Sequence, residues 1–244
     1  MKIKKFLIIL LVALFTFSIA GCSNDEDNNP VEPQPKGPAK LQIKEVTVPQ
    51  HLAQAQDPYA QMVNGFIQLA NSFKNFTMFF TPPSGATHVP KSMGVNDEWT
   101  WNNGDITVRL VYEETGDMVH WKVYLTGTYE GFTATNWLGM EAEQTLDGSS
   151  GHLVVYEPVT SDIAVEWDWS ANSDGSYTFE YTDMDSQNKI SITVNADNSG
   201  TLKLYEDINN QSYMHYQITW TPAGNGHWWE YDTQGNIVAQ GSWA

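Results

Sequence analysis

From Trp99 to Trp243 apolar and polar residues alternate with a period of two, the pattern of strands with one buried face. Asn103-Gly104 is a two-residue hairpin signal. It predicts Trp101 opposite Ile106 and Trp99 opposite Val108. Thr115-Gly116 predicts the next turn, with Tyr112 opposite Val119, Leu110 opposite Trp121 and Val108 opposite Val123. One face then stays apolar through three strands, and a one-residue slip would scramble it. Further on, glycine-led segments begin near Gly151, Gly175, Gly200 and Gly226, about 25 residues apart, each after a polar loop. That spacing fits two strands and two turns, a meander of repeated hairpins. Upstream, LQIKEVTV over 41–48 alternates and predicts a strand. DPYAQMVNGFIQLANSFKNF predicts a helix over about 57–74, capped by Asp57 with Pro58 at its first position. Tyr59, Met62, Val63, Phe66, Leu69, Ala70 and Phe73 form its apolar stripe, which should bury Phe66 and Phe73 against the sheet.

These elements define a mainly β fold: an antiparallel β-meander over about 98–244, curling into a barrel or half-barrel, with one N-terminal amphipathic helix. A single β-rich domain covers 41–244. The helix followed by an antiparallel sheet resembles, in architecture alone, lipocalins and half-barrel lipoprotein carriers. The resemblance implies an apolar ligand held inside.

The first 21 residues read differently. MKIKKFLIILLVALFTFSIA has a basic start, an apolar run from Phe6 to about Phe17, and a small-residue end. The run is shorter than the ~20 residues of a spanning helix. Ile19-Ala20-Gly21-Cys22 resembles the lipobox of bacterial lipoproteins. The resemblance implies cleavage before Cys22, a diacylglycerol on its thiol and acylation of the new amino group. Several acyl chains give durable anchoring where one is marginal. Cys22 is the only cysteine, so no disulfide frame competes for it. SNDEDNN follows, similar to the acidic surface-export signal of Bacteroidota lipoproteins. Ser23 stands where the usual inner-membrane retention signal has Asp. The resemblance implies a lipid-anchored protein of the outer membrane, on the cell surface or, alternatively, on the periplasmic face. Residues 22–40 form an acidic, Pro-rich tether reaching up to about 60 Å at ~3.3 Å per residue.

Composition sharpens this. The chain has 10 Trp, 11 Tyr and 10 Phe, a strand-rich mixture. It carries 29 acids against 12 bases, a net −17. Removing Lys2, Lys4 and Lys5 with the leader leaves 9 bases against 29 acids, or −20. Such a surface repels phosphate backbones and excludes nucleic acid as a partner.

Candidate chemistry is sparse. Asn195–Glu206 matches the spacing of a calcium-binding EF-hand loop, but strand-like residues flank it where helices are required, and a hairpin turn accounts for it. His51, His88, His120, His152, His215 and His227 lack ligand spacing, so no metal and no cofactor are expected. Glu166 and Asp168 share one side of a strand about 7 Å apart, but paired acids are common in so acidic a chain. No nucleophile elbow, phosphate loop or dinucleotide fingerprint occurs, and the chain is not expected to be an enzyme. Aromatics remain as candidate binding residues. Trp167 and Trp169 alternate in register with the inward positions. The adjacent Trp228 and Trp229 must face opposite sides. Aligning the repeats on their glycines puts Trp228 on the packed face. It puts Trp229 and Tyr231, with Tyr205, on the other. The same register turns Glu230 inward, against the apolar pattern. The expected role is binding of an apolar small molecule or lipid; a glycan-binding or adhesive surface protein is the alternative, and a carboxylate hydrolase a third.

Overall fold

The computed structural model describes residues 38–90, 96–129 and 132–244. The leader, Cys22 and most of the tether lie outside the described residues. Among the described residues one antiparallel sheet holds β1 Thr87–Val89, β2 Asp97–Asn103, β3 Ile106–Thr115, β4 Met118–Tyr129 and β5 Phe132–Thr145. It continues through β6 Ser150–Tyr156, β7 Ile163–Ala171, β8 Tyr177–Asp183, β9 Asn188–Val194 and β10 Gly200–Ile208. β11 Gln211–Trp220, β12 Gly226–Tyr231 and β13 Ile237–Trp243 complete it. Each strand pairs only with its neighbours in the chain, and β1 and β13 do not meet. The fold is therefore a mainly β open meander, consistent with the half-barrel form.

The first two hairpins differ from the sequence expectation in register. Asn103 pairs with Ile106, Trp101 with Val108 and Trp99 with Leu110. Tyr112 pairs with Trp121, Leu110 with Val123 and Val108 with Leu125. The loops are Gly104-Asp105 and Gly116-Asp117, with Gly104 at φ 61° and Gly116 at φ 67°. Positive φ at the first loop residue is the type II′ arrangement, which places glycine first rather than second. Each partner moves by two residues. An even shift leaves every side chain on its expected face.

The later loops share one design. Asn172–Ser176, Asn195–Ser199, Thr221–Asn225 and Asp232–Asn236 each close with the first N–H donating to the last carbonyl, at 2.8–2.9 Å. In each, the fourth N–H donates back to the first carbonyl. The fourth residues, Gly175, Asn198, Gly224 and Gly235, have φ of 82°, 68°, 97° and 83°. This is a type I turn followed by one left-handed residue. It recurs because glycine or asparagine tolerates that backbone.

The repeat glycines within strands have another cause. Gly151 lies opposite Trp169, Gly200 opposite Trp220, and Gly226 opposite both Trp220 and Trp243. A Cβ on Gly151, Gly200 or Gly226 would fall 2.1–2.3 Å from the facing indole. The absent side chain makes room for a ring folded across the strand.

Helix α1 is Gln50–Gln54 and α2 is Pro58–Ser72, continued by a 3-10 segment, Phe73–Phe80. Asp57 caps α2, accepting from the N–H groups of Tyr59 at 2.8 Å and Ala60 at 3.2 Å, a contribution of about 1 kcal/mol. The buried stripe is Ala60, Val63, Ile67 and Ala70, and Phe73, Phe79 and Phe80 continue it. Phe66 is only half-buried, because the seam runs through Val63 and Ile67 at four-residue spacing. Phe73 is 2 % exposed and lies 3.5 Å, ring centre to ring centre, from Trp167. Phe80 meets Trp121 edge-on at 6.2 Å, and Tyr59 stacks on Trp228 at 3.9 Å. The helical segment thus crosses the inner face from β12 through β7 to β4. Its length, roughly 1.5 Å per α and 2.0 Å per 3-10 residue, is of the order of eight strand spacings of ~4.8 Å.

Residues 41–48 do not form the expected strand. Leu41 and Val46 are buried, but the backbone finds side chains instead of a neighbouring strand. Gln42 N–H donates to Gln144 Oε1 at 2.8 Å, and Val46 N–H donates to Asn71 Oδ1 at 2.8 Å. Asn71 returns Nδ2–H to the Val46 carbonyl at 2.9 Å. The alternation is real, but the segment spans helix and sheet.

Candidate functional site

The outer face carries an ordered array. Cross-strand pairing from β3 to β13 joins Glu113, His120, Glu143, His152, Asp168, Glu180, Ser191, Lys203, Gln217, Trp229 and Gln240 into one continuous row. None of these residues is buried. Beside it runs a hydroxyl row: Ser150, Ser170, Thr178, Thr193, Thr201 and Thr219, then His227 and Ser242. Neighbouring members stand about 4.8 Å apart, the spacing of paired strands.

The two halves of the long row differ. On β3–β7 carboxylates and imidazoles alternate, and Glu180 on β8 follows Asp168. His120 Nδ1 lies 3.3 Å from Glu143 and His152 Nδ1 lies 2.8 Å from Asp168. Glu180 is held by Lys189 at 2.7 Å. The hydrogen bond to Asp168 raises the His152 pKa above the usual imidazole value, against the opposing effect of burial. A hollow of about 330 Å³ opens here, bounded by Glu143, His152, Asp168, Glu180 and the hydroxyls of Ser150, Ser170 and Thr178. On β9–β13 the row is Ser191, Lys203, Gln217, Trp229 and Gln240, hydroxyl, amine, amide and indole.

Trp229 is partly exposed, with a glutamine on either side, Gln217 on β11 and Gln240 on β13. His227 lies next to it along the strand, ring centres 6.2 Å apart. Tyr231 is the next outward position on β12. Tyr205 is partly exposed on β10, paired with Lys189 and Met214, and separated from β12 by β11. Trp229 and Tyr231 therefore form a short row, and Tyr205 stands apart from them. Trp167 and Trp169 are 3 % exposed each and belong to the core under the helical segment. The indole N–H groups of Trp121, Trp167 and Trp169 find no acceptor there.

Glu230 does point inward, as its register requires. It lies where the inner face runs past the start of α2. Glu230 is 3.4 Å from His215 Nε2, and Glu206 is 2.8 Å from His215 Nδ1. The Glu206 contact is off the N–H direction, so Nδ1 has no in-line acceptor. Tyr213 donates to Glu206 at 3.1 Å. Burial, then the charge of Glu230, pushes the Tyr216 pKa up to about 12. A bulge makes this cluster possible: between Leu204 and Tyr205 the pairing with β11 skips His215. Nothing in the alternating pattern signals a bulge at that point.

The EF-hand spacing is not a metal site. Asp197 accepts from Ser199 N–H at 2.9 Å within the hairpin loop, while Glu206 lies six residues along β10, about 20 Å away at strand rise. Among the described residues no group of three or more His, Cys, Asp or Glu is placed to hold a metal ion. Glu166 and Asp168 both face outward, and Asp168 is engaged by His152.

Comparison of the chain with protein-family models and with curated proteins found no match.

Proposed function

We propose that this is a lipid-anchored envelope protein that binds glycans on the outer face of β9–β13, without catalysis. The observation that carries the reading is Trp229, a partly exposed indole between two amides, Gln217 and Gln240. An aromatic face stacks on the apolar face of a sugar ring, and flanking amides donate to and accept from its hydroxyls. Threonine is the ordinary filler of a solvent-facing strand position, so the hydroxyl row alone would say nothing. The acidic surface fits a neutral ligand and opposes an anionic one. Membrane attachment rests on the lipobox resemblance at Cys22. Cys22→Ala should abolish acylation and release the protein from membranes, read by mass spectrometry and fractionation. Glycan binding is tested on an array with Trp229→Ala and Gln217→Ala. Loss of binding with an unchanged fold supports the reading, and a wild-type chain that binds no glycan refutes it.

A second reading, carriage of an apolar molecule, draws on the inner face. The unpaired indole donors of Trp121, Trp167 and Trp169 lie under the helical segment, and an apolar ligand would have to displace that segment. A fluorescent fatty acid that binds wild type and is lost on Trp167→Phe would favour it.

A further inference from the structure

We infer that the ligand of the β9–β13 face is an extended, uncharged polysaccharide lying across the strands, so that several successive sugars are held at once. This rests on the glycan reading above and deepens it. A polymer of repeating units needs chemistry that repeats along its path. Along β12 the outward residues change in kind, His227, Trp229 and Tyr231, and along β10 they run Thr201, Lys203 and Tyr205. Across the strands one of the two rows repeats. Thr193, Thr201 and Thr219 stand opposite one another on β9, β10 and β11. The parallel row beside them runs from Ser191 through Lys203 and Gln217 to Trp229 and Gln240. That second row changes from strand to strand, so it is the hydroxyl row that sets the axis: a polymer that meets like with like along it lies perpendicular to the strands.

The spacing agrees. One side chain of each row recurs about every 4.8 Å, close to the rise per sugar of an extended glycan. Successive sugars would meet Thr193 with Ser191, Thr201 with Lys203, Thr219 with Gln217, and His227 with Trp229. Trp229 provides the stacking platform near one end, and the hydroxyl row provides increments along the chain. Charge limits the ligand further. Lys203 is the one lysine or arginine in the two rows, the outward Lys189 on β9 is paired with Glu180 at 2.7 Å, and the chain carries 29 acids against 12 bases. A uronic-acid or sulfated polymer would be repelled on approach. The four carboxylates of the same row on β3–β8 extend that repulsion for a longer chain.

The test is affinity against chain length. Oligomers of two to six units are titrated calorimetrically for neutral β-1,4-glucan, β-1,3-glucan, xylan, mannan, chitin and α-1,4-glucan, with polygalacturonate oligomers as the anionic control. For at least one neutral series the dissociation constant should fall tenfold or more between dimer and hexamer. Thr201→Val with Thr219→Val, which keeps strand shape, should remove most of that gain and weaken the hexamer far more than the dimer. Trp229→Ala should weaken every length. A constant that is flat with length, yet lost on Trp229→Ala, overturns the across-strand inference and leaves the glycan reading standing. Binding of polygalacturonate equal to the neutral series overturns the charge limit. No binding by any oligomer overturns both readings.

Discussion

The two faces of one sheet solve opposite problems. The inner face is aromatic and must be covered. The outer face is polar and built of rows that remain open. Trp228 and Trp229 make the contrast in adjacent residues. Trp228 lies under Tyr59 and beside Ile218, and Trp229 looks out between two glutamines. The difference teaches that residue type alone does not assign a tryptophan to a core; its parity within the strand does.

The largest effect should come from the covered face. Phe73→Ala removes a ring packed on Trp167 and Phe179, and should cost about 3–5 kcal/mol in urea unfolding. A loss near zero would mean the helical segment does not hold that face. Trp228→Ala should cost about 2–3 kcal/mol, below the fully buried range because the ring is partly exposed. Its partner change, Trp229→Ala, should stay within about 1 kcal/mol. Equal losses would erase the distinction between the faces. Gly200→Ala sharpens the inner face further. The new Cβ would sit 2.3 Å from the Trp220 ring and 2.5 Å from the Thr193 carbonyl oxygen, so overpacking of about 1–3 kcal/mol is expected. A thermal midpoint like wild type would show that both the ring and the Thr193 backbone give way.

The smallest effect belongs to the exposed loops. Asp147 accepts from Ser149 N–H and the Thr145 hydroxyl, and these bonds hold its pKa down to about 2 from 3.8. A depressed carboxylate stabilises the fold above the unfolded value, and that stabilisation is lost as pH falls through the folded one. The melting temperature should therefore decline between about pH 4 and pH 2, less steeply in Asp147→Ala. An identical pH profile in the variant would assign the decline to other carboxylates.

Much of this architecture was legible in the alternation itself. Strand faces, the helix with its Asp57 cap, and the opposed placement of Trp228 and Trp229 follow from periodicity. The inward turn of Glu230 was legible too, although its reason was not: the covering helix begins beside it, leaving a polar rim. Strand register was misread by two residues because Asn103-Gly104 admits either glycine position in the loop. The segment 41–48 alternates like a strand, but its hydrogen-bond partners, Gln144 and Asn71, are side chains distant in sequence. The outer rows were hidden for a similar reason. A row takes one residue from each strand, so it is invisible until every register is known.

Pairing restricted to chain neighbours also sets an order of assembly. A strand in this sheet finds its partner in the segment just before it, so each hairpin can close as soon as it emerges into the folding compartment, with little loop-closure entropy. The helical segment cannot do the same. Its contacts lie progressively later: Phe80 on Trp121, Phe73 on Trp167, and Tyr59 on Trp228. In a chain that emerges N-terminus first, the segment would settle from its C-terminal end backwards, one ring at a time, as the sheet widens beneath it. Pulsed hydrogen exchange during stepwise synthesis would reveal this as protection around Phe80 preceding protection around Tyr59; simultaneous protection would rule it out. The earliest-made helix would then be the last element to lock, a clasp whose closure reports that the final hairpins are in place.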